Sequence, residues 1–126
     1  MSFRVFDTKK EQWIKKNIYL DSEGNLFKIK LSLFGTVKLP LALDADRYIC
    51  HQDINLYDKE ETLIYEGDYI KASVDEDKDV IGIVAYAHEL SAYIILCVDS
   101  DEFYTLGSNV SSEIEVIGNV FDGYKK

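Results

Sequence analysis

The sequence predicts a mainly β protein, with an N-terminal β meander subdomain over residues 1–50 and a C-terminal five-stranded small β-barrel over residues 51–126. Three observations carry this reading. Short runs rich in β-branched and aromatic residues alternate apolar with polar side chains. Polar connections such as "DSEGN", "DEDKD" and "AHELS" separate them, supplying turn-forming residues. Two late runs, "VIGIVAYA" and "AYIILCV", are apolar on both faces, as strands in a closed barrel or beneath a second layer must be.

Taken in order, "SFRVFD" alternates and reads as a first strand, and "WIKKNIYL" as a second after the polar "TKKEQ". "LFKIKLSLF" is the cleanest: Phe27, Ile29, Leu31 and Leu33 fall on one face, Lys28, Lys30 and Ser32 on the other. "TVKLPLALD" continues with Val37, Leu39, Leu41 and Leu43 in phase. Pro40 has no N–H to give a neighbour, so this strand is expected to be an edge or to be irregular. Residues 44–63 are acidic and turn-like and read as the connection between subdomains, with a short helical turn near Leu43–Tyr48. Five strands then follow: "YIKASV", "VIGIVAYA", "AYIILCV", "EFYTL" and "IEVIGNVF", the spacing of a small barrel.

Composition narrows the function. The chain has 126 residues, is 47% hydrophobic and has a single proline, so it can bury a core and does not read as disordered. The net charge of −9 is unevenly spread: residues 1–50 contribute +3 and residues 51–126 contribute −12. An acidic C-terminal part repels phosphate backbones and disfavours nucleic-acid binding, while keeping the protein soluble. Cys50 and Cys97 are too few for a disulfide framework and read as free buried thiols of a reducing cytoplasm. The longest apolar stretch, "AYIILCV", is too short to span a bilayer, and the N-terminus has no signal-peptide pattern. The expectation is a cytoplasmic protein with no membrane association.

Few residues suggest chemistry. A four-ligand zinc site would need His51, His88, Cys50 and Cys97 together, without the close spacing such sites use. Ser91 follows His88 by three residues, which reads as turn chemistry rather than a nucleophile and its base. Asp75, Glu76, Asp77 and Asp79 lack the spacing and glycine of a calcium loop. Glu66 and Asp68 share a face of an extended segment but show no cleft. No catalytic residue, metal ligand or cofactor is therefore expected. Most of the nine tyrosines read as core with the hydroxyl at the rim. Trp13, in a Lys-rich strand, and Glu66 are the candidate interaction residues.

Three segments then line up in order with a known family. The first is "FRVFD", Phe3 to Asp7. The second holds Gln52, Leu56, Asp58, Ile64, Tyr65, Glu66, Gly67, Asp68 and Ile70. The third holds Ile117, Gly118, Asn119, Val120 and Phe121. In these the chain resembles the YopX family of bacteriophage and prophage proteins, along its whole length. Phe6 stands where that family usually has Trp, Ile54-Asn55 where it has Thr-Gly, and Glu60-Glu61 where it has Asn-Gly. The resemblance implies an SH3-like C-terminal barrel and a phage or prophage origin, and it implies no activity. Within it, "IYEGDYIK" reads as the hinge feeding the first barrel strand, with Tyr65, Glu66, Gly67, Asp68, Ile117, Gly118 and Asn119 as structural turn residues.

Three functional expectations follow. The leading one is a non-enzymatic binding or assembly module with a protein partner or a second copy of itself, the latter through an edge such as "LFKIKLSLFGTVKLPLAL". The second is an acidic mimic of nucleic acid that occupies a host DNA-binding enzyme. The third is an enzyme, which would need a pocket around His88 or the Glu66/Asp68 pair.

Overall fold

The computed structural model describes residues 2–15, 18–20, 23, 26–32, 35–40, 47–74, 78–106 and 113–124. Thirteen strands lie among them. The chain divides into two compact units, one of residues 3–51 and one of residues 1–2 with 52–126.

In the first unit, β1 (Phe3–Asp7) and β2 (Gln12–Ile14) form an antiparallel hairpin, with Phe6 opposite Trp13. Asp7 shapes its turn. One carboxylate oxygen accepts the backbone N–H groups of Lys9 and Lys10 at 3.0 and 3.2 Å. Both oxygens also take the Arg47 guanidinium, at 2.9 and 2.8 Å. That fork, formed first and foremost by Arg47, outweighs the cost of burial and holds the Asp7 carboxyl far below its usual range. A separate meander follows: β3 (Ile18–Leu20), β4 (Leu26–Ser32) and β5 (Gly35–Pro40), paired in that order. β5 is an edge of it, and Pro40 closes the strand opposite Phe27. The expected single strand "WIKKNIYL" is thus two, divided where Lys15-Lys16-Asn17 interrupts the apolar run. Its ends pair with different partners, Ile14 with Val5 and Ile18 with Lys28. The helical turn expected near Leu43–Tyr48 falls mostly outside the described residues. So do Asp75, Glu76 and Asp77, and the side chains of β4 and β5 that were read as an association edge.

The largest departure is between residues 44 and 63. Where a loop-like connection is expected, β6 (Tyr48–Tyr57) and β7 (Leu63–Tyr65) stand. The first four residues of β6 belong to the first unit, where β1 neighbours the strand, and the last six to the second. Two features hide β6 from a hydropathy reading. Asp53 is buried in it, because its carboxylate is satisfied by backbone amides. Asn55 takes φ 60° inside a register shift between Asp53 and Tyr57, which breaks the alternation.

The second unit is dominated by a curled antiparallel sheet. Its strands are β8 (Asp68–Val74), β9 (Lys78–Ala87), β10 (Ala92–Cys97), β11 (Phe103–Thr105), β12 (Glu115–Asn119) and β13 (Gly123–Tyr124). The order is β11-β10-β9-β8-β12-β13. The expected five strands become six, because the two-residue β13 is too short to show an alternation. The inward positions repeat every second residue: Ile70 and Ala72 on β8, Val84 on β9, Ile95 on β10. They meet Ile54, Ile64 and Ile114 in one buried cluster, with Tyr93, Leu106 and Val116 packed on its rim. Cys50 and Cys97 are not joined in a disulfide, and both are half-buried rather than fully enclosed.

Candidate functional site

The "YEGD" segment turns the chain from β7 into β8. Gly67 takes φ 83°, a left-handed conformation that a side chain opposes. Its N–H donates to the Val84 carbonyl at 2.9 Å, and its own carbonyl accepts from the Val120 N–H at 2.9 Å. Asp68 is 1% exposed and accepts the Tyr65 N–H at 2.8 Å, closing the turn from inside. The Glu66 N–H donates to the Gln52 carbonyl at 3.0 Å. The "IGN" segment, some fifty residues on, lies beside this turn: Asn119 pairs with Asp68 and Gly118 with Tyr69, after a register shift that spans Ile117. Asn119 accepts the N–H groups of Phe121 and Asp122, both at 3.0 Å, and so starts the β12–β13 hairpin.

Two turn positions give a paired prediction of opposite sign. Glu61 sits at φ 63° between β6 and β7, a conformation that costs an L-residue about 1–2 kcal/mol. Glu61→Gly removes that strain, and the added freedom of the unfolded chain returns part of it. The expected net gain is about 0.5–1 kcal/mol. Gly67→Val forces a β-branched residue to the same region at a buried site and is expected to cost about 2–3 kcal/mol. Urea denaturation of both variants measures the pair; a neutral Gly67→Val would refute the turn geometry.

Glu66 serves a different partner from Asp68. Its carboxylate lies near the phenol of Tyr93 on β10. Burial first, then that carboxylate, pushes the Tyr93 phenol above its usual range. Tyr93 lines a cleft of about 470 Å³, together with Ser2, Asp53, Ile54, Tyr57 and Leu63. Asp53 is fixed in its wall: one oxygen accepts the Ser2 N–H at 2.6 Å, the other the Asn55 N–H at 3.0 Å. Tyr57 is 63% exposed at the rim. Tyr86 meets Tyr93 edge-on at 5.0 Å, and His88 meets Tyr86 edge-on at 4.9 Å, so a ladder of rings leads away from the cleft.

Sequence reasoning names Glu66 here and misses Asp53, Tyr57 and Tyr93. Asp53 and Tyr57 share β6, but Tyr93 comes from β10, far along the chain, and no local spacing joins it to them. The His88–Ser91 segment is an exposed 3-10 turn, with Ser91 at φ 49° and its N–H on the His88 carbonyl at 3.2 Å. Among the described residues, no group of three or more His, Cys, Asp or Glu side chains is placed to hold a metal ion. Among the described residues, no helix is long and apolar enough to cross a membrane.

Trp13, in the first unit, is half-buried and its surroundings are occupied. The Arg4 guanidinium lies 4.6 Å from its ring centre, Phe6 packs edge-on at 5.0 Å, and His51 stands at 6.2 Å. Burial, with the Arg4 charge beside it, pushes the His51 imidazole down to about 4. The indole is therefore part of a packed cluster in which His51 is neutral near pH 7.

Comparison with known proteins agrees with this architecture. The chain is similar to the crystal structure of protein yopX from Bacillus subtilis, at 16% identity and a TM-score of 0.58, covering 94% of this chain and 91% of that one. It also matches protein EF1440 from Enterococcus faecalis, at 20% identity and a TM-score of 0.49, covering 94% and 92%. No curated protein matches the sequence. The family described as YopX protein matches residues 2–124, nearly the full chain, and the protein belongs to the YopX family.

Proposed function

We propose that this protein is a non-enzymatic binding module, encoded by a phage or prophage and acting in the host cytoplasm, that seats a segment of a partner protein in the cleft beside Tyr93. The curled sheet is read as an SH3-like barrel, with Tyr93 of β10 at this cleft. The observation that carries the reading is the cleft itself. Rings and apolar side chains from β6, β7 and β10 make its walls, and a buried, hydrogen-bonded carboxylate gives it one fixed polar group. Asp68, one half of the candidate acid–base pair, is committed to the turn, which supports a non-enzymatic role. No cofactor is part of this reading.

The test is a pull-down from host lysate with wild-type and Tyr57→Ser baits. Tyr57 is exposed, so its loss leaves the core intact. A host protein retained by the wild type and lost with Tyr57→Ser is expected. Identical retention by both baits would remove the cleft from the reading.

A second reading, the nucleic-acid mimic, is favoured by one observation. Glu60, Glu61, Glu89, Asp99 and Asp101 are exposed and, among the described residues, form no ion pair. It requires that the protein displace DNA from a host DNA-binding enzyme, with an effect that fades as salt rises. A gel-shift competition across ionic strengths reads this directly.

A further inference from the structure

We infer that the cleft is a cation site, built to take the guanidinium group of an arginine side chain in an extended partner segment. This rests on the binding-module reading and adds the chemistry of the group that is bound.

Among the described residues, the charge at the cleft has one sign: Asp53 stands in its wall, Glu66 lies near Tyr93, and no Lys or Arg lines it. Of the described basic residues of this unit, Lys59 and Lys71 line one other cleft, and Lys71 and Lys78 a third. A unit carrying −12 over residues 51–126, with its described cations turned elsewhere, concentrates a negative potential at this concavity. An anionic or phosphate-bearing ligand is disfavoured by the same field.

The walls match the rest of an arginine side chain. Tyr57 and Tyr93 line the cleft, and aromatic rings attract a guanidinium and stack on its plane. Ile54 and Leu63 give apolar surface for the methylene stem. Each Asp53 oxygen already accepts one backbone N–H, which fixes its direction, and each retains a second lone pair for an incoming donor. A carboxylate held in this way loses little freedom on binding. At about 470 Å³ the cleft has room for one long side chain and part of its flanking backbone. A divalent metal finds no adequate ligand set, since no three metal-binding side chains converge among the described residues.

The probes are two capped pentapeptides, Ala-Ala-Arg-Ala-Ala and the same peptide with citrulline, titrated into the full-length ¹⁵N-labelled protein. Citrulline keeps the shape of arginine, but it lacks the charge and has a carbonyl acceptor in place of one NH2 donor. The arginine peptide is expected to shift the amide signals around Asp53, Tyr57 and Tyr93, to bind at least tenfold more tightly than the citrulline peptide, and to weaken with added salt. Glu66→Gln is expected to weaken arginine binding several-fold with an unchanged spectrum elsewhere. Equal binding of the two peptides at these residues overturns the cation site and leaves the binding module standing. No shift at the cleft with either peptide overturns the cation site as well. If Tyr57→Ser then also retains every captured protein, the cleft is removed from the binding reading as well.

Discussion

Asp58→Ala is expected to cost about 3 kcal/mol of stability, the loss set by three backbone donors left without their acceptor. Asp58 is 7% exposed, just after β6. One carboxylate oxygen accepts the N–H groups of Glu60 and Thr62, at 2.9 and 2.8 Å. The other accepts the N–H of Val116, on β12, at 3.0 Å. The Asp58 backbone adds its own bonds, donating to the Thr62 carbonyl and accepting from Glu61. One side chain therefore shapes the β6–β7 turn and ties it to a strand nearly sixty residues away. Glu60 and Thr62 are exposed, so water can replace part of what they lose; Val116 is half-buried and loses more.

The ionisation of Asp58 gives the same variant a second signature. Burial opposes its charge, yet the amides of Val116, Thr62 and Glu60 outweigh burial and hold the carboxyl below its usual value. A depressed folded value means that the native state binds fewer protons than the unfolded one. The contribution is thus complete above the unfolded carboxylate value, about 4, and fades as pH falls through the folded value. Wild-type stability should drop below about pH 4, and Asp58→Ala should flatten part of that drop. Far-UV circular dichroism in urea is the suitable probe, because the only tryptophan, Trp13, lies in the other unit. A shifted midpoint with an unchanged slope marks lost stability rather than a changed unfolded state. An Asp58→Ala protein as stable as the wild type would show that these amides need no carboxylate.

The strands around the second core are legible because each satisfies a local rule. In β8, Ile70, Ala72 and Val74 alternate with Tyr69, Lys71 and Ser73, and the buried positions are the ones the pattern marks. β6 is not legible, because its register depends on tertiary events. Asp53 goes inside only where the Ser2 amide meets it, and Asn55 enters the left-handed region only where the ladder shifts. Hydropathy scores Asp53 as surface and so erases the strand. The turn at Glu61 is a milder case. The backbone there adopts φ 63° with a glutamate in place, a conformation that its side chain opposes and that no hydropathy pattern marks. The cleft was unreadable for a topological reason. Asp53 and Tyr93 are separated by forty residues and meet only once the sheet curls, whereas Glu66 was visible because its turn chemistry is local.

Gly82→Val is expected to cost about 3 kcal/mol or more, against the direction that strand propensity predicts. Gly82 sits inside β9, between Ile70 of β8 and Cys97 of β10. Glycine inside a strand ordinarily costs about 0.5–1 kcal/mol, and valine is among the best strand formers, so an open site would gain from the change. This site is closed. A Cβ there would overlap Cγ2 of Ile95 and lie 2.6 Å from the backbone oxygen of Leu96. Ile95 is wholly buried and belongs to the central cluster, so it has no free volume to move into. The Leu96 oxygen is backbone in the adjacent strand and can withdraw only by opening the β9–β10 pairing. The glycine is therefore a packing requirement: its missing side chain is the space that Ile95 fills. A double-mutant cycle of Gly82→Ala with Ile95→Ala separates the two obstacles. Removing Cγ2 should make the alanine at 82 markedly less costly than it is in the wild-type background, with a residual penalty left by the Leu96 backbone. Strict additivity would place the cost elsewhere, and a stabilised Gly82→Val would restore the propensity argument at the expense of the close approach.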